Sequence, residues 1–208
     1  MQPFSKLTAI AAPIDEPNID TNQLCPTRFN KVPRGPAYAQ VLFHDRRFEL
    51  DGAEKDFILN REPYRQAEIL VTGPNFGCGS SREGAVWSLQ ERGIRAIIGS
   101  GFGDIFFANC FQNGILPIVV DQEIVDGLAA EVENTQGAGR ISVDLEAQTI
   151  TSPSGKRHSF EIDPRRRAGL LEGLDEVLLT LQRDDEIRAF QASDRAARPW
   201  IHFARKSA

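Results

Sequence analysis

The chain has 208 residues, 41% of them hydrophobic and 25% charged, and a formal net charge of −5. That length suits one domain with a real core, and the acidic balance argues against nucleic acid as a main partner. Apolar runs such as Ile115 to Val120 fall far short of the roughly 20 residues a membrane span needs, and the first 20 residues, broken by Pro13 and acids, make a poor signal peptide, so a cytoplasmic protein is expected.

In chain order, Leu7 to Ile14 reads as a strand ended by Pro13 and Pro17. Residues Asn18 to Ala37 contain Pro26, Pro33, Gly35 and Pro36 and cannot form one regular element. Long loops in compact domains are often functional; the alternative is a plain connector. Glu68 to Thr72 has a buried-strand pattern and is followed by the loop Gly73 to Gly79. A helix is then expected from near Ser80 to Arg92, with Gly93 as its stop. Arg95 to Gly99 is a second strand, Asp104 to Gln112 a helix stopped by Gly114, Leu116 to Val120 a third strand and Asp121 to Glu133 a third helix. This rhythm implies parallel strands with crossover helices.

After Gly137 the pattern alternates. Arg140 to Leu145, Thr149 to Ser152 and Arg157 to Ile162 read as an antiparallel meander, a β hairpin appendage. Arg165 to Gln191 reads as two or three short helices around Gly169, Gly173 and Asp184, with Arg165, Arg166 and Arg167 on a solvated face. The tail from about Arg195 to Ala208 is expected to be poorly ordered. The whole is an α/β protein: one domain over residues 1–208, with its core at about 5–192.

The three cysteines, Cys25, Cys78 and Cys110, are widely spaced and odd in number, which argues against a disulfide framework. With only His44, His158 and His202 beside them they do not read as a zinc site, and the spacing gives little support to an iron–sulfur cluster on this chain. No metal ligands are assigned.

The informative segment is Asn75-Phe-Gly-Cys-Gly-Ser-Ser-Arg-Glu83, between a strand and a helix. Gly77 and Gly79 allow φ > 0 and close approach of a ligand. Ser80 falls at the expected N-cap, and Ser80-x-x-Glu83 has the capping-box spacing. Free N–H groups at the helix start and the fork of Arg82 would together form an anion cradle. The absence of a lysine after Gly79 argues against a nucleotide P-loop. Gly99-Ser-Gly-Phe-Gly103 lacks the third glycine of a dinucleotide fingerprint. A carboxylate fits best; the alternative is that Ser80 only caps a helix and Arg82 is a surface cation. Ser80 does not lie in G-x-S-x-G, which disfavours triad chemistry.

This segment resembles the signature of the isopropylmalate dehydratase small subunit, itself similar to the mobile C-terminal domain of aconitase. Pro17-Asn-Ile-Asp-Thr-Asn22 with Pro26, Gly103-Asp-Ile-Phe-Phe-Ala-Asn109 with Leu116-Pro117, and Gly173-Leu-Asp175 with Leu179-Thr-Leu-Gln182 resemble three further blocks of that family. The match covers roughly residues 5–192. The resemblance implies a swivelling β/β/α domain and a heterodimer or heterotetramer with a large subunit that carries a [4Fe–4S] cluster, so that no cofactor is bound by this chain. The implied reaction dehydrates and rehydrates a small di-acid, isomerising 2-isopropylmalate and 3-isopropylmalate in leucine biosynthesis. It implies Ser80 as the base, and Ser81, Arg82, Gly79 and Thr21 as substrate-binding residues. Specificity would lie in Arg28, Phe29, Asn30 and Lys31. Cys78 would be structural.

Three departures bear on the substrate. Asn30 stands where isopropylmalate-using relatives commonly have an apolar residue. Gly84 and Val86 stand where His and Pro are usual. The stretch Pro36 to Ala39 lacks the usual Gly-Phe-Gly. Small subunits for 2-methylmalate (citramalate), dimethylmalate or other substituted malates therefore stay open. So does a different class, a non-catalytic carboxylate-binding or regulatory domain. With the partner absent, the cradle should face solvent and residues 18–38 should be mobile.

Overall fold

The computed structural model describes residues 1–79 and 82–201. Ser80, Ser81 and His202 lie outside the described residues.

The strands are β1 (Lys6–Ile14), β2 (Ile69–Thr72), β3 (Ala96–Gly99), β4 (Leu116–Val119), β5 (Arg140–Asp144), β6 (Thr149–Thr151) and β7 (Arg157–Ser159). They form one seven-stranded sheet in the order β4-β3-β2-β1-β5-β6-β7. β1 to β4 are parallel, and β5 to β7 are antiparallel. The meander therefore does not stand off as an appendage. It continues the main sheet through β1, whose first half (Lys6 to Ile10) pairs with β5 and whose second half (Ala11 to Ile14) pairs with β2.

That change of partner explains why Pro13 does not end the strand. The Ile10 and Ile14 carbonyls accept bonds from Glu68 and Gly73, so alternate residues 10, 12 and 14 turn their backbone groups toward β2. Pro13 turns the other way, where β5 has already ended opposite Ile10. A missing N–H is tolerated on such an unpaired side.

Helices cover both faces. β2 and β3 are buried at every position, as expected of parallel strands flanked on two sides. Their side chains alternate between two cores. Leu70 and Ile97 join the first, with Ala85, Val86 and Leu89 of α3 (Glu83–Glu91) and Phe106 and Cys110 of α4 (Asp104–Gln112). Ile69, Val71, Ala96 and Ile98 join the second. There α5 (Gln122–Asn134) contributes Val125, Leu128, Ala129 and Val132, the spacing of one helical face.

The stretch after β1 is not a loop throughout. It holds a short helix, α1 (Thr21–Leu24), and 3-10 turns at Thr27–Lys31 and Pro36–Gln40. A second short helix, α2 (His44–Arg47), follows. Ile19, Leu24, Cys25 and Tyr38 are buried in the first core, so both ends of the segment expected to be mobile are anchored. At the C-terminus come α6 (Pro164–Glu172), α7 (Glu176–Leu181) and α8 (Asp184–Ala197). α8 is followed by a 3-10 turn at Pro199–Ile201, and the rest of the tail expected to be poorly ordered, residues 202–208, lies outside the described residues.

Candidate functional site

The loop after β2 is clamped from both sides. The Asn18 N–H donates to the Pro74 carbonyl (2.9 Å), the Gly77 N–H to Ile19 (2.7 Å) and the Thr21 N–H to Cys78 (3.0 Å). On the other side the Phe76 N–H donates to Gly101 (3.1 Å) and the Gly103 N–H to Phe76 (2.9 Å). The loop therefore runs as a short extended rung between the segments that leave β1 and β3, with parallel bridges Asp20–Cys78 and Phe76–Phe102. Its position beyond the carboxyl ends of parallel strands is where ligands bind in open α/β sheets.

Two glycines make this path possible, as the sequence indicates. Gly77 has φ +73° and Gly79 φ +85°, both in the region that L side chains rarely adopt. At Gly77 a Cβ would stand 2.2 Å from Phe106 Cγ and 2.4 Å from its Cδ1, a severe clash with the ring. That ring packs edge-on against the fully buried Phe76, with centroids 5.6 Å apart. Close approach has a second instance at Gly103, where a Cβ would stand 2.5 Å from the Gly77 carbonyl oxygen.

The helix after the loop begins later than the sequence signals. Arg82, with φ −127° and ψ 131°, is the N-cap of α3. The Glu83 carboxylate accepts from Asn113 Nδ2 at 3.1 Å. Ser80 and Ser81, assigned as base and cradle residue, lie outside the described residues.

Arg82 is half-buried and reaches across to the start of α1. Its Nη1 donates to Thr27 Oγ1 (2.8 Å) and Asn22 Oδ1 (3.4 Å). The same Asn22 oxygen accepts from the Thr27 N–H (3.1 Å) and hydroxyl (2.9 Å). Asp20 fixes this corner as N-cap of α1, accepting from the Asn22 N–H at 2.9 Å and the Gln23 N–H at 2.7 Å. Arg82's partners are thus neutral oxygens, and among the described residues no carboxylate is paired with it. Most nearby arginines differ: Arg28 pairs with Asp45, Arg34 with Glu91 and Arg46 with Glu16. A guanidinium held by neutral acceptors keeps its charge available to an incoming anion.

Of the other assigned residues, Gly79 is exposed beside this corner, and among the described residues outside its own chain neighbours a Cβ there would meet Asp20 Cβ alone, at 3.5 Å. Thr21 is buried against Cys78. The exposed 3-10 turn at Thr27–Lys31 carries Arg28, Phe29, Asn30 and Lys31 immediately after Thr27. Within it Arg28 stands 4.6 Å over Phe29, and Phe29 packs on His44 at 4.7 Å. Asp20 and Asn22 lie in the Pro17–Asn22 block that carries the resemblance, but motif reading assigns them no role, and it does not show that Asn22 and Thr27 hold Arg82.

Behind the cradle, the Cys25 thiol and Tyr38 hydroxyl share a hydrogen bond at 3.4 Å. Burial pushes the Cys25 thiol up, against the opposing pull of Tyr38 and Arg82. Burial, and then the Cys25 contact, push the Tyr38 phenol up. Both stay protonated at neutral pH and serve as packing rather than as nucleophiles. Among the described residues, no His, Cys, Asp or Glu side chains gather in threes to hold a metal ion. A cavity of about 260 Å³, lined by Met1, Phe111, Arg166 and Leu170, lies at the other end of α4.

Comparison with known proteins follows the same geography. A family profile described as the aconitase C-terminal domain matches residues 1–123. One described as LeuD_N matches 126–164, and one for the C-terminal domain of the 3-isopropylmalate dehydratase small subunit matches 179–204. The chain is 50% identical over 201 residues to the 3-isopropylmalate dehydratase small subunit of Gluconacetobacter diazotrophicus, covering 96% of this chain and 97% of that one. It is 50% identical over 202 residues to the protein of the same name from Jannaschia sp., covering 97% and 100%. The crystal structure of a 3-isopropylmalate dehydratase from Methanocaldococcus jannaschii superposes with a TM-score of 0.62 at 23% identity, over 89% of this chain and 99% of that one; this likeness speaks for the fold.

Proposed function

The chain belongs to the 3-isopropylmalate dehydratase small subunits, and on that premise we propose that its Arg82 cradle grips one carboxylate of isopropylmalate in leucine biosynthesis. It is a hydro-lyase subunit that works with a large subunit. The observation that carries the substrate reading is Arg82 itself, half-buried, fixed by Asn22 and Thr27, and unpaired with any carboxylate among the described residues.

In the reaction proposed, a proton leaves one carbon of the di-acid and hydroxide leaves its neighbour. Water then returns with the two positions exchanged. Ser80 accepts the carbon-bound proton as an alkoxide, and returns it in the second half. An alcohol is a far weaker acid than the side chains usually used as bases, so this role needs a positive field. Arg82, two residues away, supplies it, along with backbone N–H groups at the start of α3. Gly79, exposed and without a side chain, lets substrate lie against the loop.

Of the three thiols, Cys110 is fully buried and Cys25 is bonded to Tyr38, which leaves the half-buried Cys78 and supports a reading in which this chain supplies no set of cluster ligands. We therefore assign the [4Fe–4S] cluster to the large subunit, where its Lewis acidity would assist departure of the hydroxyl. The turn carrying Phe29, Asn30 and Lys31 begins at Thr27, itself bonded to Arg82. The substituent that distinguishes one malate from another is read there.

Arg82→Ala, assembled with the large subunit, tests the reading. A charge-assisted contact contributes about 1.5–3 kcal/mol, so kcat/KM should fall by roughly 10- to 100-fold, and Arg82→Lys should recover part of it. An unchanged kcat/KM in Arg82→Ala would refute the grip.

A further inference from the structure

Tyr38 lies 44 residues before Arg82 in sequence and is not one of the acceptors that hold its guanidinium. Its position between two elements gives it a role nonetheless. The side chain is only 1% exposed. Its backbone is fixed by the Tyr38 N–H donating to Gly35 at 2.7 Å and the Val41 N–H donating to the Tyr38 carbonyl at 3.0 Å. Its hydroxyl has two neighbours of interest. One is Cys25 Sγ, 3.4 Å away. The other is Gly84, where a Cβ would stand 2.7 Å from the Tyr38 oxygen, 3.4 Å from Cys25 Sγ and 3.9 Å from Tyr38 Cζ.

Cys25 is the C-cap of α1, its N–H donating to the Thr21 carbonyl. Asn22 within α1, and Thr27 two residues beyond the cap, are the acceptors that hold Arg82. Gly84 lies two residues after Arg82, in the first turn of α3. The phenol oxygen of Tyr38 therefore sits between the element carrying the acceptors and the element carrying the guanidinium.

We propose that Tyr38 is a positioning residue for Arg82: its hydroxyl, seated on Gly84 and held by Cys25, sets the spacing of α1 and α3 and so the place of the guanidinium. The inference rests on the reading of Arg82 as the carboxylate grip. The seat is specific to a hydroxyl against a bare backbone. A methyl group at position 84 forces either α3 or the buried ring to move, since 2.7 Å is well inside van der Waals contact. Without the phenol oxygen, the nearest remaining atoms among the described residues, at 3.4 and 3.9 Å, are ordinary neighbours. The sign of Gly84→Ala should therefore reverse with the residue at 38. Beside the native tyrosine it is disruptive. In the Tyr38→Phe background it is accommodated, and Ala is the better helix former.

The test is a cycle of Gly84→Ala, Tyr38→Phe and the double variant, each assembled with the large subunit and assayed for melting temperature, KM and kcat with isopropylmalate. Gly84→Ala alone should lower the melting temperature by a few degrees. It should also raise KM by about tenfold or more, since small displacements of a binding group weigh heavily on rate, with a smaller change in kcat. In the Tyr38→Phe background the same substitution should leave KM unchanged and raise the melting temperature. Equal effects of Gly84→Ala in both backgrounds would overturn the seat. A coupling in melting temperature with KM untouched throughout would overturn the positioning role and leave packing alone. Arg82→Ala runs alongside: if it leaves KM unchanged while the thermal coupling persists, the failure lies in the reading of Arg82, and the positioning role falls with it.

Discussion

Gly77→Ala offers a worked prediction at the centre of the loop. Two costs add there. An L side chain at φ +73° costs about 1–2 kcal/mol in the left-handed region. The methyl would also stand 2.2 Å from Phe106 Cγ, and overpacking of this kind costs about 1–3 kcal/mol. Reduced freedom of the unfolded chain offsets roughly 0.4–1 kcal/mol. Gly79→Ala is the internal control: φ is +85°, but among the described residues the added Cβ would meet only Asp20 Cβ, at an ordinary 3.5 Å, so the backbone cost is the one that applies. At about 2–4 °C per kcal/mol for a chain of this size, Gly79→Ala should lower the melting temperature by a few degrees at most and Gly77→Ala by clearly more, within a range of roughly 2–18 °C. Phe106→Ala is itself costly, about 3–5 kcal/mol. Measured against that background, however, Gly77→Ala should cost no more than Gly79→Ala. Scanning calorimetry on these variants, singly and combined, decides it. Equal losses for the two glycines, or no relief from Phe106→Ala, would refute the steric half of the argument.

Two further outcomes follow from the geometry. Asp20→Ala removes the cap that accepts from Asn22 and Gln23, a loss of about 1 kcal/mol visible as a lower melting temperature, and because the same corner carries the acceptors of Arg82, KM should rise with it; a fall in stability with KM unchanged would separate the cap from the cradle. Burial holds the Cys110 and Cys25 thiols above their ordinary range, so the unfolded chain releases these protons first, and stability is full below the unfolded thiol value of about 8.5 and falls as pH rises beyond it; Cys110→Ala should lower the plateau but flatten this alkaline loss in denaturant titrations between about pH 8 and 10, and an equally steep loss would place its origin elsewhere.

The parallel core is legible in the sequence because β2 and β3 are unbroken apolar runs, and a run buried on both faces has few other fates. Gly77 and Gly79 are legible too, since only a backbone that needs φ > 0 explains two glycines around Cys78. The helix start is less so. Ser80-x-x-Glu83 has capping-box spacing, yet Glu83 is engaged by Asn113, 30 residues away, and a local pattern carries no information about such a partner. Asn22 and Thr27 reach Arg82 across 60 and 55 residues, a meeting created only when β1 and β2 lie side by side. The same is true of Tyr38 and Gly84. They are two unrelated departures in the sequence, and one steric pair in space. Pro13 misleads because a proline's effect on a strand depends on which side is paired, and that is a property of the sheet.

The most direct test of the account is turnover by the assembled enzyme. This chain is reconstituted anaerobically with its large subunit, and alkene absorbance is followed with isopropylmalate and citramalate side by side, with Ser80→Ala as control. Turnover is expected only when both chains are present, with preference for isopropylmalate and loss of activity in Ser80→Ala. Activity that survives Ser80→Ala, or a preference for citramalate, would contradict this expectation.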